Sequence, residues 1–132
     1  MHFSRRYHQH KDPELYLDRE PIKVVKEVKF LGVIFDHHLT FVSHIKNLKA
    51  RCLKALDILK VVASSKWGGD QKTLLLLYRS LIRSKLDYGS IVYGGASKSA
   101  LKMLDTIHHQ GLRLCIGAFR TSPVESLYVE DR

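Results

Sequence analysis

The sequence predicts a mainly α-helical domain with a small β region. Short N-terminal strands or a hairpin come first, then a three-helix bundle, then a short terminal helix. Three observations predict it. β-branched and aromatic residues crowd between Ile22 and Phe35. From Leu39 onward, apolar residues recur every three or four positions in three separate stretches. SSKWGG, YGGAS and RTSP punctuate those stretches with turn and cap residues. At 132 residues the chain is long enough for one domain with its own core.

The elements follow in order. ELYLD, from Glu14 to Asp18, reads as a short strand among polar loops. After Pro21 the β-formers divide into strands over about residues 22–26 and 28–35. Gly32 inside the second marks a bulge or a close backbone approach. Phe41, Ile45, Leu48, Cys52, Leu56, Leu59 and Ala63 form the stripe of the first helix, with Thr40 as its N-cap. Asp70 caps the second, whose inner face is Leu74, Leu77, Tyr78, Leu81, Ile82 and Leu86. Gly89 stands where a C-terminal cap glycine belongs. SIVYGGAS is either a helix continuation or a turn. Ser97 or Ser99 caps the third helix, with Leu101, Leu104, Ile107, Gly111, Leu114 and Ala118 as its stripe. Glycine in a helix interior costs about 1 kcal/mol against alanine, so Gly111 is expected to admit a close helix neighbour. Ser122 and Glu125, flanking Pro123, form a capping box that starts a last helix.

Charge bears on function. The formal net charge is +9, and residues 37–66 carry six Lys and Arg against one Asp. The last ten residues are acidic. A basic helical body suits either a polyanion such as nucleic acid or simply a solvated surface. Cys52 and Cys115 fall within helical patterns and read as reduced core residues. No apolar run is long enough for a membrane-spanning helix, and MHFSRRYHQHKDPE lacks the apolar region of a secretory signal.

Catalytic motifs are sparse. Asp36, His37 and His38 are adjacent, and side chains alternate in direction along a strand, so the three do not easily grip one ion. A polar turn is the simpler reading. His44 and the His8-x-His10 pair would join only through tertiary placement. His108 and His109 sit mid-helix, His108 toward the apolar stripe and His109 toward solvent. The chain has no HExxH, no Gly-x-Ser-x-Gly and no P-loop. It has no Asp-Asp pair of the kind that holds two Mg²⁺ ions for phosphoryl transfer. Asp57, Asp70, Asp87 and Asp105 read as caps and ion-pair partners. Neither a catalytic residue nor a metal ligand is therefore assigned.

Three phrases carry a specific resemblance. They are KFLGVIFDHHLTFVSHIKNLKARCLKAL, WGGDQKTLLLLYRSLIRSKLDYGSIVY and LDTIHHQGLRLCIGAFRTSPVESLYVE. In this order they resemble the C-terminal polymerase region of non-LTR retrotransposon reverse transcriptases, jockey-like elements of arthropods in particular. The resemblance runs over most of the chain. It implies that residues 1–38 are the end of the palm with a primer-grip-like β segment, and that residues 39–122 are a thumb-like bundle. Residues 123–132 would start a helix or linker toward a further domain. On this match Phe30, Leu31, Gly32 and Val33 support the backbone of the growing strand. Phe41 stands where the family often has tryptophan, so the aromatic is kept. The family's catalytic Asp-Asp motif precedes a segment like MHFSRR, so the chain is expected to be a fragment or a remnant, inactive alone.

The implied partners are a template–primer duplex of RNA and DNA and the other domains of the parent polyprotein, with no membrane. The implied cofactor, Mg²⁺, belongs to the full-length enzyme, and the family's site of action implies the nucleus. Basic residues off a packed stripe are what a phosphate grip requires. Lys46, Lys49, Lys54, Arg79 and Arg83 are the expected contacts. The alternative is a free-standing basic helical module that binds nucleic acid or an acidic protein without catalysis.

Overall fold

The computed structural model describes residues 1–5, 12–64 and 70–117. Two small antiparallel strand pairs precede a helical body, as the sequence predicts. Strands β1 (Tyr16–Leu17) and β2 (Glu20–Pro21) pair with each other, and β3 (Glu27–Phe30) pairs with β4 (Val33–Asp36). Helix α1 spans Val42–Val62 and α2 spans Gln71–Tyr78. A π-helical turn over Arg79–Arg83 leads into α3 (Ser84–Asp87). Then come α4 (Ser90–Tyr93) and α5 (Lys98–Ile116). SIVYGGAS is therefore a short helix followed by a turn. The Ser122–Glu125 capping box, Ala118 and most of SSKWGG lie outside the described residues.

The strand boundaries differ from those read in the sequence. Residues 22–26 are not a strand, and Gly32 is not a bulge. Phe30 pairs with Val33 and Glu27 with Asp36, so Leu31 and Gly32 are a two-residue hairpin turn. Their φ values, 45° and 82°, are both positive, which is the requirement of a type I′ turn. Asp18 and Arg19, at φ 50° and 70°, do the same between β1 and β2. Glycine adopts such a φ freely, whereas leucine does so at a cost. Leu31 is held there by tertiary contact, described below.

The first helix also begins differently. Its N-cap is Phe41, at φ 58°, rather than Thr40. The bonds expected from a capping side chain come instead from Asp36. Its carboxylate accepts from the Thr40 N–H at 3.0 Å, the Thr40 hydroxyl at 2.9 Å and the Phe41 N–H at 2.7 Å. Burial pushes the Asp36 carboxyl up, but these donors outweigh it and hold it below the usual carboxylate range.

The core lies where α1 packs on α5, with α2 and β4 closing it. Phe41, Ile45, Leu48, Cys52, Leu56 and Leu59 are all buried, as their spacing predicts, and His44 and Ala55 join them. In α5 the buried line is Ala100, Leu104, Ile107, Gly111, Leu112 and Cys115. Leu101 and Leu114, expected at its centre, are half-buried at its edges. Ser97 is the N-cap, accepting from the Ala100 N–H. Gly111 meets the expectation of a close neighbour: a Cβ there would lie 2.6 Å from Cε2 of the fully buried Tyr78. Both cysteines are buried and free.

Candidate nucleic-acid interface

The tip of the β3–β4 hairpin is anchored on the helical body. Val33 is buried in the core, while Phe30 and Leu31 are 63% and 74% exposed. The Tyr88 hydroxyl donates to the Leu31 carbonyl at 2.8 Å. A Cβ on Gly32 would approach Cε1 of the same ring to 3.3 Å, so the turn sits close against the tyrosine. One hydrogen bond and one tight contact thus fix a strained turn against the helical body, with the Leu31 side chain left exposed.

Beside this tip lies a cleft of about 310 Å³, walled by Gly32, α1 and α3. His44, Leu48 and Arg51 line it from α1; Ser84 and Lys85 line it from α3, and Tyr88 from the residue that follows it. His44 is only 4% exposed. Its Nδ1 accepts from the Ile34 N–H at 3.2 Å, so the ring hydrogen of the neutral imidazole is on Nε2. Burial pushes the His44 pKa down, and the Arg51 charge adds to it. Burial pushes the Cys52 thiol up, with Lys85 and then Arg51 pulling the other way. Arg51 thus acts on the imidazole, and Lys85 lines the same cleft. Neither Arg51 nor Lys85 has an acidic partner among the described residues.

His44 sets a testable pH dependence. A histidine whose folded pKa lies below its unfolded value of 6.5 takes up its proton more readily in the unfolded chain. Its contribution is complete above that value and falls as pH drops through it. Urea unfolding at pH 7.5 and 5.5 is expected to show this loss in the wild type. His44→Asn, which keeps an acceptor near Ile34 but cannot titrate, is expected to lose less over that interval. An equal loss in both proteins would refute the assignment.

The five basic residues expected from the sequence do not form one cluster. Lys46, Lys54, Arg79 and Arg83 are exposed and Lys49 is half-buried. By helical spacing, Lys46, Lys49 and Lys60 share one flank of α1, whereas Lys54 follows Arg51 by three residues on the cleft's flank. Lys60 is paired with Asp57 at 2.8 Å. Arg83 Nε lies 3.8 Å from Asp87 Oδ2 and faces a second groove of about 350 Å³ shared with Asp105 and His108. Acids in that groove make it a poorer phosphate seat than the cleft. The sequence names neither Arg51 nor Lys85 as a contact, and His44 only as a metal ligand that tertiary placement would have to recruit. The available signal was position: Arg51 and Lys85 each precede a stripe residue, at the boundary where a long side chain can lean over the packed face.

Asp36, His37 and His38 form a corner. The His38 ring donates to the Ser4 carbonyl at 3.0 Å, and the Ser4 N–H donates to the His37 carbonyl at 3.1 Å. The His37 N–H reaches the Lys26 carbonyl at 3.1 Å. Among the described residues no group of three or more His, Cys, Asp or Glu stands together to hold a metal ion. Asp36, with two histidines beside it, does not supply the paired carboxylates that two Mg²⁺ ions require.

The chain is 26% identical over 105 residues to the probable RNA-directed DNA polymerase from transposon X-element of Drosophila melanogaster. That match covers 80% of this chain and 12% of that protein. Identity is 26% over 110 residues to a retrovirus-related Pol polyprotein from type-1 retrotransposable element R1 of Nasonia vitripennis, covering 82% of this chain and 33% of the relative. The RNA-directed DNA polymerase from mobile element jockey of Drosophila melanogaster is 28% identical over 116 residues, covering 86% and 13% respectively. The chain thus spans a third or less of the length of these relatives. No family model and no solved structure matches it.

Proposed function

We propose that this chain, whose homologues are RNA-directed DNA polymerases of non-LTR retrotransposons, is the part of such an enzyme that grips the primer–template duplex by its phosphates. The polymerising carboxylates come from elsewhere in the parent protein. One observation carries the reading: a turn at Leu31 and Gly32, anchored by Tyr88, stands beside a cleft whose cations, Arg51 and Lys85, have no acidic partner among the described residues. A hairpin backbone can follow one strand of the duplex while the cations neutralise its phosphates, a grip that reads no bases.

Phe30, Leu31, Gly32 and Val33 form the strand-supporting tip in this reading. Lys54 extends the cleft's flank, and Lys46 and Lys49 supply a second row. Arg79 and Arg83 lie on the π-helical turn, the kind of local widening often found at functional sites. Strand β3 is exposed along its whole length, with Val28 and Phe30 outward. An exposed apolar strand of this kind supports packing against the rest of a larger polymerase.

The test is a titration of a fluorescent RNA–DNA hybrid with the full chain at several salt concentrations. Each neutralised phosphate steepens the fall of log K against log salt by about 0.7–0.9. Binding that weakens steeply with salt, indifferent to base sequence, is expected. A flat salt dependence, or no binding at low salt, would overturn the proposal. With Mg²⁺ and all four nucleotides, extension by this chain alone is expected to stay at background.

A further inference from the structure

We infer that His44 is a proton-operated latch: when its ring takes up a proton, the tip of the β3–β4 hairpin is released from the helical body, and the Asp36 corner holds as the hinge. The inference does not depend on the duplex-grip reading.

The tip is lightly held. Of the residues in β3 and β4, only Val33 is buried. Two hydrogen bonds tie the tip to the helices: the Tyr88 hydroxyl to the Leu31 carbonyl, and the Ile34 N–H to His44 Nδ1 at 3.2 Å. The bonds of Asp36 to Thr40 and Phe41, and of Ser43 to Glu27, lie at the opposite end, where Glu27 pairs with Asp36.

The bond from Ile34 needs a neutral ring. An imidazolium carries hydrogen on both nitrogens and accepts nothing, so a proton taken up in place would set two N–H groups against each other. It would also leave a cation only 4% exposed, with Nε2 buried and without a partner. A buried charge requires a counter-charge, and no carboxylate lines the cleft. Arg51 on α1 and Lys85 on α3 are positive, and Cys52 is a buried thiol pushed up by burial. Tyr93, its ring centroid 5.2 Å from that of His44, donates to the Leu86 carbonyl. In β3, Lys29 stands opposite Ile34. Asp87 lies 3.8 Å from Arg83 Nε and lines the other groove. The ring therefore gains its proton by parting from Ile34. His44 is fixed on a helix packed into the core, so the partner that moves is the tip.

The pH window follows from two directions. Released, His44 titrates at its ordinary 6.5, and seated it titrates lower. Asp36 stays charged until the pH falls below 3.8, so the hinge outlasts the latch. Below 6.5 each pH unit favours the released tip by about tenfold, until the seated ring titrates too.

The test is amide hydrogen exchange of the ¹⁵N-labelled full chain by NMR, from about pH 7.5 to about pH 5, with and without low urea. Rates are corrected for their intrinsic pH dependence. Protection of the Ile34 amide is expected to fall by up to about tenfold per unit below pH 6.5 and to ignore low urea, the mark of a local opening. The Ile107 and Leu112 amides, in the buried line of α5, are expected to exchange more slowly and to respond to urea. In His44→Asn, which keeps an acceptor and does not titrate, Ile34 protection is expected to stay flat over the same range. Ile34 exchange that tracks Ile107 at every pH and urea concentration would overturn the latch, because only global unfolding would then free the tip. A flat wild-type profile overturns it too, as does an acid response that survives in His44→Asn. If that variant does not fold, the urea comparison in the wild type decides alone.

Discussion

Tyr78→Ala is expected to destabilise the chain by about 3–5 kcal/mol, the usual cost of removing a buried aromatic ring. In that background the effect of Gly111→Ala is expected to change sign. Tyr78 is fully buried at the junction of α2 and α5, and its hydroxyl is hydrogen-bonded to His108 Nδ1. Its ring occupies the space that a side chain at position 111 would need: a Cβ there would come within 2.6 and 2.7 Å of ring carbons. Two effects oppose each other in Gly111→Ala alone. Helix propensity favours alanine by about 1 kcal/mol. Overpacking a well-filled core costs about 1–3 kcal/mol, and at these distances the larger end applies, because the ring has no solvent to retreat into. The single variant should therefore be less stable than wild type. Once the ring is gone the clash goes with it. The methyl then fills part of the cavity, and propensity decides in favour of alanine. Urea unfolding of the four proteins of this cycle gives the coupling directly. Strict additivity would show that Gly111 is not there to receive Tyr78.

The core was legible because its signal is local. The α1 stripe from Phe41 to Leu59 repeats without a break at helical spacing, so one buried face follows even though Leu53, Ile58 and Val61 lie exposed off it. In α5 two overlapping stripes share Leu104, Ile107 and Gly111. Whether Leu112 and Cys115 or Leu101 and Leu114 complete the face depends on where α1 and α2 lie, and no periodicity within α5 encodes that. The hairpin was misread because Leu-Gly is not a favoured turn pair. Leu31 tolerates its positive φ through a bond from Tyr88, 57 residues away. The cleft was illegible for the same reason. Gly32, His44, Arg51 and Lys85 line one cleft only after the hairpin, α1 and α3 have packed. The family resemblance singles out Phe30 to Val33, while the cations beside that turn depend on tertiary placement.

Asp36→Ala is expected to cost about 1–2 kcal/mol, at the upper end for losing a helix cap, and to weaken hybrid binding besides. The carboxylate gathers two backbone N–H groups and one hydroxyl at the point where β4 hands the chain to α1. Without it Thr40 and Phe41 lose their acceptor, and Phe41 must hold φ 58° unaided. Asp36→Asn, which keeps one acceptor oxygen and loses the charge, should fall between. The acid response has a definite sign. The folded carboxyl titrates below its unfolded value of 3.8, so its contribution is complete above that value and disappears as pH falls through the lower, folded one. Wild type and Asp36→Ala should accordingly differ most at neutral pH and converge in strong acid. The functional consequence follows from geometry. The same corner sets the angle at which β4 leaves α1, and β4 carries Gly32 toward Tyr88 and the cleft. A looser corner lets the tip move relative to Arg51 and Lys85, so hybrid affinity should drop although no residue lining the cleft has changed. Equal unfolding midpoints for wild type and Asp36→Ala at pH 7 would mean that the carboxylate's bonds are not what joins the hairpin to the bundle. A destabilised variant with unaltered hybrid binding would separate the corner from the grip.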